Sequence, residues 1–263
     1  MTYVRYRISH KGGFFACCSV KLNWILKYFA EKNELPDNVI TNNMFTMYKI
    51  NKDADITYDF FEHYDNIEEP IVIEEPIVYD ISCGFQFYNY KQLHHKNIYP
   101  FIKKYFTPSQ NLLTVHYYLI DKYNIDTDNL IGLYYRGTDK HEETLLASFD
   151  TFYNKLTEIQ DKANMQIVVQ TDSGQFLDYM KEKCQDQNII VIQENSISYT
   201  DKGIHNEKSE AENYKDIFYL FATLLILSKS RHLICGSGNV SLWMLHYRNS
   251  IENVHQWLNN EWL

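Results

Sequence analysis

Residues Leu130-Ile131-Gly132-Leu133-Tyr134-Tyr135-Arg136-Gly137-Thr138-Asp139-Lys140 decide the fold. Six apolar or aromatic positions in a row end abruptly in a cation, a glycine, an acid and a second cation. A short, uninterrupted apolar run predicts a strand buried on both faces. Downstream the rhythm repeats. Helical periodicity over 148–160 is followed by a strand at 166–170, a helix at 174–183 and a strand at 189–192. A long helix over 210–228, a strand at 232–235 and a helix at 239–247 complete the series. Strands alternating with helices predict a parallel sheet with right-handed crossovers.

Upstream of residue 125 the pattern is looser. Tyr3 to Ile8 reads as a strand, and His10-Lys11-Gly12-Gly13-Phe14-Phe15 as a glycine-rich turn. A helix is expected from Ser19, with Val20, Leu22, Ile25, Leu26 and Phe29 on one face and Pro36 as its stop. The stretch 37–92 is irregular and carries a duplicated hexapeptide, 67–72 and 73–78, too few copies for a solenoid. Helices are then expected at 99–106 and from Pro108-Ser109 to about Tyr123. The composition shift divides the chain into a first part, 1–124, and a second, 125–263.

Bulk composition excludes several classes of function. With 263 residues and 45% hydrophobic content the chain can bury a sizeable core. Its 25 basic against 34 acidic residues leave a net charge of −9, unsuited to general nucleic-acid or anionic-membrane binding. The apolar run around Leu220 to Leu227 is less than half of the roughly 20 residues that a membrane span needs. The opening Met1-Thr2-Tyr3-Val4-Arg5-Tyr6-Arg7 has no apolar signal region. Five cysteines, an odd number without a C-x-x-C pair, fit reduced thiols better than a disulfide or metal framework. A cytoplasmic location is therefore expected.

Three strand ends could carry chemistry. After the first strand of the second part, Arg136 and Lys140 suit an anionic ligand, Arg through a planar bidentate grip and Lys as a point charge. A solvated turn with an Arg–Asp salt bridge is the simpler alternative. After the next strand, Thr171-Asp172-Ser173-Gly174 could accept hydrogen bonds from a ribose or base, or could merely cap a helix. After the strand at 232–235, Gly236-Ser237-Gly238-Asn239-Val240-Ser241 opens a helix whose N-terminal amides favour an anion. A tightly packed strand–helix turn is again the alternative. All three lie at the same kind of position on successive strands and would face one crevice. Together they describe a nucleoside-diphosphate pocket.

Two D-x-D strings, Asp53-Ala54-Asp55 and Asp126-Thr127-Asp128, follow no buried strand and are read as chance in an Asp-rich chain, so no metal site is expected. His94-His95 lacks a spaced third ligand and is read as surface. There is no G-x-x-x-x-G-K-[ST], which argues against a P-loop phosphotransferase.

Arg136-Gly137-Thr138-Asp139-Lys140 resembles the R-[RG]-[TG]-D-K motif of the fucosyltransferase superfamily that includes the α1,6- and protein O-fucosyltransferases. Residues 227–239, from Leu227-Ser228 to Gly238-Asn239, resemble its third motif. Thr171-Asp172 sits where the family has a Thr-Asp segment. Lys11-Gly12-Gly13-Phe14 sits at its first glycine-rich loop, and Tyr105-Phe106-Thr107-Pro108-Ser109 is similar to its F-x-P-S linker. The similarity lies mainly in 129–245.

The resemblance implies a GT-B-like α/β architecture of two Rossmann-like domains with parallel sheets, the N-terminal one smaller and irregular. Residues 1–124 would face a glycan or glycoprotein acceptor, and 125–263 would bind the nucleotide sugar. The implied activity is inverting, metal-independent transfer of a sugar, GDP-fucose being the family's donor, with no other cofactor. Catalytic roles fall on Arg136, Asp139 and, as acceptor base, Glu143; His141 and His205 are further candidates for the base. Donor contacts fall on Lys11, Gly12, Gly13, Phe14, Arg136, Lys140, Thr171, Asp172, Ser237, Gly238, Asn239 and Ser241. A member without a signal peptide would be a bacterial or viral arrangement.

Three departures bear on the donor: Gly137 stands where a second Arg is common, Ser173 where a second acid is common, and Thr223 where an Asp is expected, with Asp216 two turns earlier. They leave open a silent nucleotide-sugar or glycan-binding protein of the same fold, or a transferase using another nucleotide sugar.

Overall fold

The computed structural model describes residues 5–36, 38–66, 71, 87–159 and 164–263. The chain opens with strand β1 (Arg5–Ser9), helix α1 (Phe14–Lys32) and strand β2 (Asn38–Asn43). A one-turn helix α2 (Thr57–Phe60) and two longer helices, α3 (His95–Tyr105) and α4 (Gln110–Tyr123), follow. Then come β3 (Leu130–Tyr135), α5 (Phe149–Glu158), β4 (Gln166–Thr171), α6 (Gly174–Lys183) and β5 (Ile189–Ile190). The chain ends with α7 (Glu210–Ser228), β6 (His232–Gly236), α8 (Asn239–Arg248), β7 (Val254–Leu258) and β8 (Glu261–Trp262).

Six strands form one sheet in the order β5-β4-β3-β6-β7-β8, parallel except for the last pair. The chain winds outward from β3 in both directions, so strand order reverses between β3 and β6. Ligands in open α/β sheets bind outside the strands' carboxyl ends at such a reversal. All six residues of β3 are buried. Ile131, Leu133 and Tyr135 point into the layer packed with α5 and α6, while Leu130 and Tyr134 point into the layer packed with α7 and α8. The period of two thus serves two apolar layers at once.

The first part is built differently. β1 and β2 pair in parallel around α1. Helices α3 and α4 come from this part, yet α3 packs on α8 and α4 on α7. One apolar cluster runs without a break from Ile8 through Phe14, Phe61 and Phe106 to Phe221 and Trp243.

Several expectations need correction. Helix α1 starts at Phe14, five residues before Ser19, because the chain turns at Gly13 directly into the helix. Strand β2 lies inside the stretch read as irregular, and β7 and β8 were not anticipated. His95 is buried, with Nε2 2.9 Å from the Tyr90 carbonyl, although His94 is exposed. The duplicated hexapeptide lies outside the described residues except for Ile71. Among the described residues, no helix is long and apolar enough to cross a membrane.

Candidate active site

Register brings the three strand ends together. Tyr135 pairs with Thr171, so Arg136 and Asp172 leave neighbouring strands at one level. Tyr134 pairs with Cys235, so Ser237 leaves the other neighbour at that level too. Opposite them lies the turn from β1 into α1. Between the two is a cleft of about 480 Å³, lined by Gly12, Gly13 and Phe14 on one side and by Arg136, Asp139, Glu143, Asp172 and Asn239 on the other.

The loop after β3 is held by its own acids. Arg136 Nη2 donates to Asp139 Oδ1 at 2.8 Å, and its Nε lies 3.9 Å from Asp172 Oδ2. Gly137 N–H donates to Asp172 Oδ1 and the Thr138 hydroxyl to Asp172 Oδ2, both at 2.7 Å. Burial works against the Arg136 charge, but Tyr134, Asp139 and Asp172 outweigh it and hold the guanidinium protonated. Burial likewise pushes the Asp139 carboxyl up, and the Arg136 guanidinium outweighs this and holds it below its usual range. The two alternatives left open for this loop therefore coincide: the ion pair is real, and its cation still lines the cleft.

Lys140 is almost wholly buried, with Nζ bonded to Glu143 Oε2 and 4.9 Å from the centre of the Phe87 ring. Burial lowers its pKa, opposed by Glu143. Glu143 itself is exposed and lines the cleft. His141 is exposed and holds the Thr138 carbonyl through Nδ1 at 2.7 Å. His205 lines the cleft from the segment 191–209; burial and then Arg136 lower its pKa, against the pull of Asp139 and Asp172.

At the third strand end, backbone and side chain part company. The Ser237 hydroxyl donates to the Trp257 carbonyl at 2.8 Å, and Ser241 donates to the Gly236 carbonyl at 2.5 Å. Both hydroxyls tie the turn together instead of projecting into the cleft. Asn239 lines the cleft, and its Oδ1 accepts from Ser19 of α1 at 2.8 Å. Gly238 exchanges two 3.1 Å bonds with the Tyr90 hydroxyl. What α8 offers a ligand is its first-turn amides and dipole. Thr171 is buried, its hydroxyl accepting from Ser173 N–H at 3.0 Å, and Ser173 caps α6. Lys11 is exposed and does not line the cleft, while Gly12, Gly13 and Phe14 do.

The three departures have structural reasons. A Cβ at Gly137 would stand 2.7 Å from Tyr135 Cε1 and 3.0 Å from Ser173 Cβ, so no side chain fits where a second Arg would be. Ser173 is the helix cap. Thr223 is fully buried beneath the cleft, accepting from Asn195 Nδ2 at 2.8 Å; Asn195 also donates to Gln170 at 2.6 Å. Asp216, by contrast, lines the cleft and accepts from Ser196 at 2.7 Å while pairing with Lys208.

Sequence reasoning missed Tyr48, whose hydroxyl accepts the Phe14 N–H at 3.0 Å, together with Asn195, Ser196 and Gly203. For Asn195, Ser196 and Gly203 the one signal was the length of the segment between β5 and α7, since long loops in compact folds are usually functional; nothing local marked Tyr48. Both D-x-D strings serve the chain locally: Asp55 accepts from the Thr41 hydroxyl and from Thr57 N–H, and Asp126 caps a short helical turn by accepting from Asp128 N–H and Asn129. Among the described residues, no group of three or more His, Cys, Asp or Glu could hold a metal ion.

No family model and no curated protein matches the chain by sequence. Solved structures do match it in fold. The structure of NodZ alpha-1,6-fucosyltransferase co-crystallized with GDP superposes with a TM-score of 0.62 at 9% identity, covering 100% of this chain and 98% of that one. The same enzyme soaked with GDP-fucose gives 0.61 at 11% identity over 98% and 97%. Fucosyltransferase NodZ from Bradyrhizobium gives 0.58 at 9% over 97% and 96%. The chain thus has the GT-B-like fold of these fucosyltransferases over its whole length.

Proposed function

We propose that the protein is a glycosyltransferase that moves a sugar from a nucleotide donor, GDP-fucose, to a hydroxyl of a glycan or glycoprotein. The observation that carries this reading is Arg136, protonated and held by two acids at the sheet's reversal point, facing a cleft of about 480 Å³ beside the first turn of α8. That combination suits a diphosphate. The fold shared with NodZ, in structures with GDP and GDP-fucose, supports the choice of donor.

In this reading Arg136, the buried Lys140 and the α8 amides neutralise charge as it builds on the departing diphosphate. The acceptor oxygen attacks the anomeric carbon from the face opposite the breaking C–O bond, so configuration inverts. Glu143, on the cleft wall, takes the acceptor's proton. The cations supply what a divalent metal would, so transfer needs no metal. Residues 1–124 form the acceptor side and 125–263 the donor side. The described cysteines Cys17, Cys18, Cys184 and Cys235 are buried thiols outside any disulfide, which supports a reducing, cytoplasmic setting.

Calorimetric titration with GDP, UDP, ADP and dTDP, with and without Mg²⁺, tests the reading. GDP is expected to bind preferentially without metal, and Arg136→Ala to weaken it on the order of 10²-fold with the fold intact. Binding of UDP or dTDP instead would discard fucose, and equal GDP affinity in folded Arg136→Ala would discard the diphosphate site.

A further inference from the structure

The resemblance assigns Asp172 to the base or ribose of the donor, but its carboxylate is already engaged by the neighbouring strand's loop. Oδ1 accepts the Gly137 N–H and Oδ2 the Thr138 hydroxyl, each at 2.7 Å, and Arg136 Nε stands 3.9 Å from Oδ2. Three consecutive residues, 136 to 138, are thus gathered on one side chain from the end of β4.

The surroundings make the arrangement stiff. Asp172 follows β4, which pairs with β3 up to Tyr135–Thr171, so the two loops leave the sheet with no slack between them. The Asp172 backbone carbonyl also accepts Ser198 N–H at 2.8 Å, anchoring it to the segment 191–209. Gly137 has no side chain that could hold the loop by its own packing, so Asp172 does so from outside.

We infer that Asp172 is a positioning residue: it fixes the loop 136–138 so that Arg136 faces the cleft, and it does not itself read the nucleoside. The inference rests on the diphosphate reading of the cleft. Charge-assisted bonds of this kind are about twice as strong as neutral ones, and a misplaced cation loses most of its bidentate advantage.

Two ligands and a double-mutant cycle test it, with the full-length chain and calorimetric titration of GDP and of inorganic pyrophosphate, which has neither ribose nor base. If Asp172 acts through Arg136, Asp172→Ala weakens both ligands by a similar factor, on the order of tenfold, and adds little in an Arg136→Ala background. Asp172→Asn keeps the Gly137 contact and loses less than Ala, which also carries the test if the Ala variant fails to fold by thermal melting. A loss confined to GDP with pyrophosphate binding intact would overturn the inference, because Asp172 would then touch the nucleoside. Full additivity with Arg136→Ala, or wild-type affinity in Asp172→Ala, would overturn it as well. A wild-type protein that binds neither ligand would overturn the diphosphate site first, and this inference with it.

Discussion

The part of the chain after residue 129 and the part before it are ordered by different physics. After residue 129, each strand alternates between two apolar layers, and β3, β4 and β6 end level with one another. Before it, two paired strands and several helices are held by an aromatic cluster in which Phe14 meets Phe45, Phe60, Phe61 and Phe221 at ring-centre distances of 4.7 to 6.2 Å. The first region carries the cleft's Arg136. The second supplies its opposite wall, and it is bonded across: Asn213 of α7 donates to the Met47 carbonyl at 3.2 Å, and Trp243 of α8 to Ser19 at 3.0 Å. A periodic sheet can place reactive ends by register alone, whereas the opposing wall depends on contacts far apart in sequence.

The largest expected effect asks whether these regions are separate at all. Phe14 lies in the cluster that joins them, so Phe14→Ala is expected to cost about 3–5 kcal/mol and lower Tm by about 10 °C. One continuous cluster predicts a single transition by both calorimetry and circular dichroism. Two resolved transitions would show that 1–124 and 125–263 melt as units, and would sharpen the contrast into one of domains.

A smaller effect probes the sheet side. A Cβ at Gly132 would stand 2.9 Å from Ser230 Oγ and 3.0 Å from Leu227 Cδ2, in the layer between β3 and α7. Gly132→Ala is expected to destabilise by about 1–3 kcal/mol through overpacking. A neutral result in a denaturant titration would mean that α7 can shift off the sheet, and that the region after residue 129 is less rigid than its register implies.

The legibility of the two regions follows the same divide. The elements from β3 to α8 were readable because buried strands and amphipathic helices write their period into adjacent residues. Strand β2 was not, because Asn38-Val39-Ile40-Thr41-Asn42-Asn43 has weak alternation and is made a strand by β1. At the site, Arg136 and the convergence of three loops were legible. That Ser237 and Ser241 turn back to carbonyls was not, since a hydroxyl beside a helix start can serve backbone or ligand equally well. His95 shows the same limit: its burial is caused by α8, where the His246 ring lies 6.3 Å away.

Acid should act on histidines in both regions in one direction. Burial lowers the pKa of His95 and takes His246 well below its usual value; burial and then Lys155 take His255 to about 4. An unfolded histidine titrates near 6.5. Below that pH the unfolded chain binds more protons than the folded one, so stability falls from pH 6.5 towards 4. His255 alone should account for about 1–2 kcal/mol once partial solvent screening is allowed for. Tm measured from pH 7 to 4.5 should fall, and His255→Gln should flatten the slope. An unchanged slope would move the titration to the His95–His246 contact between the two regions.

The smallest effect concerns where the regions meet the cleft. Ser209 caps α7 in a reciprocal box with Glu212, and the helix it starts carries Asp216 on the cleft wall and a buried second half from Phe221 to Ser228. Ser209→Ala removes the acceptor for the Glu212 amide and the hydroxyl's own bond to Glu212 Oε2, while the N–H of residue 209 keeps its bond to that carboxylate, at a cost of about 1 kcal/mol. Packing fixes the buried half of α7, so the loss should be local: faster amide exchange in the first turn of α7, with the helix beyond Phe221 unaltered. The Asn213 bonds to the His205 and Met47 carbonyls cross from that first turn to the cleft-lining segment 191–209 and to the N-terminal region. If exchange quickens around Met47 as well, the two regions are coupled through the start of α7; if it stays within 205–213, they are joined without it, through the aromatic cluster and the Ser19 bonds to α8.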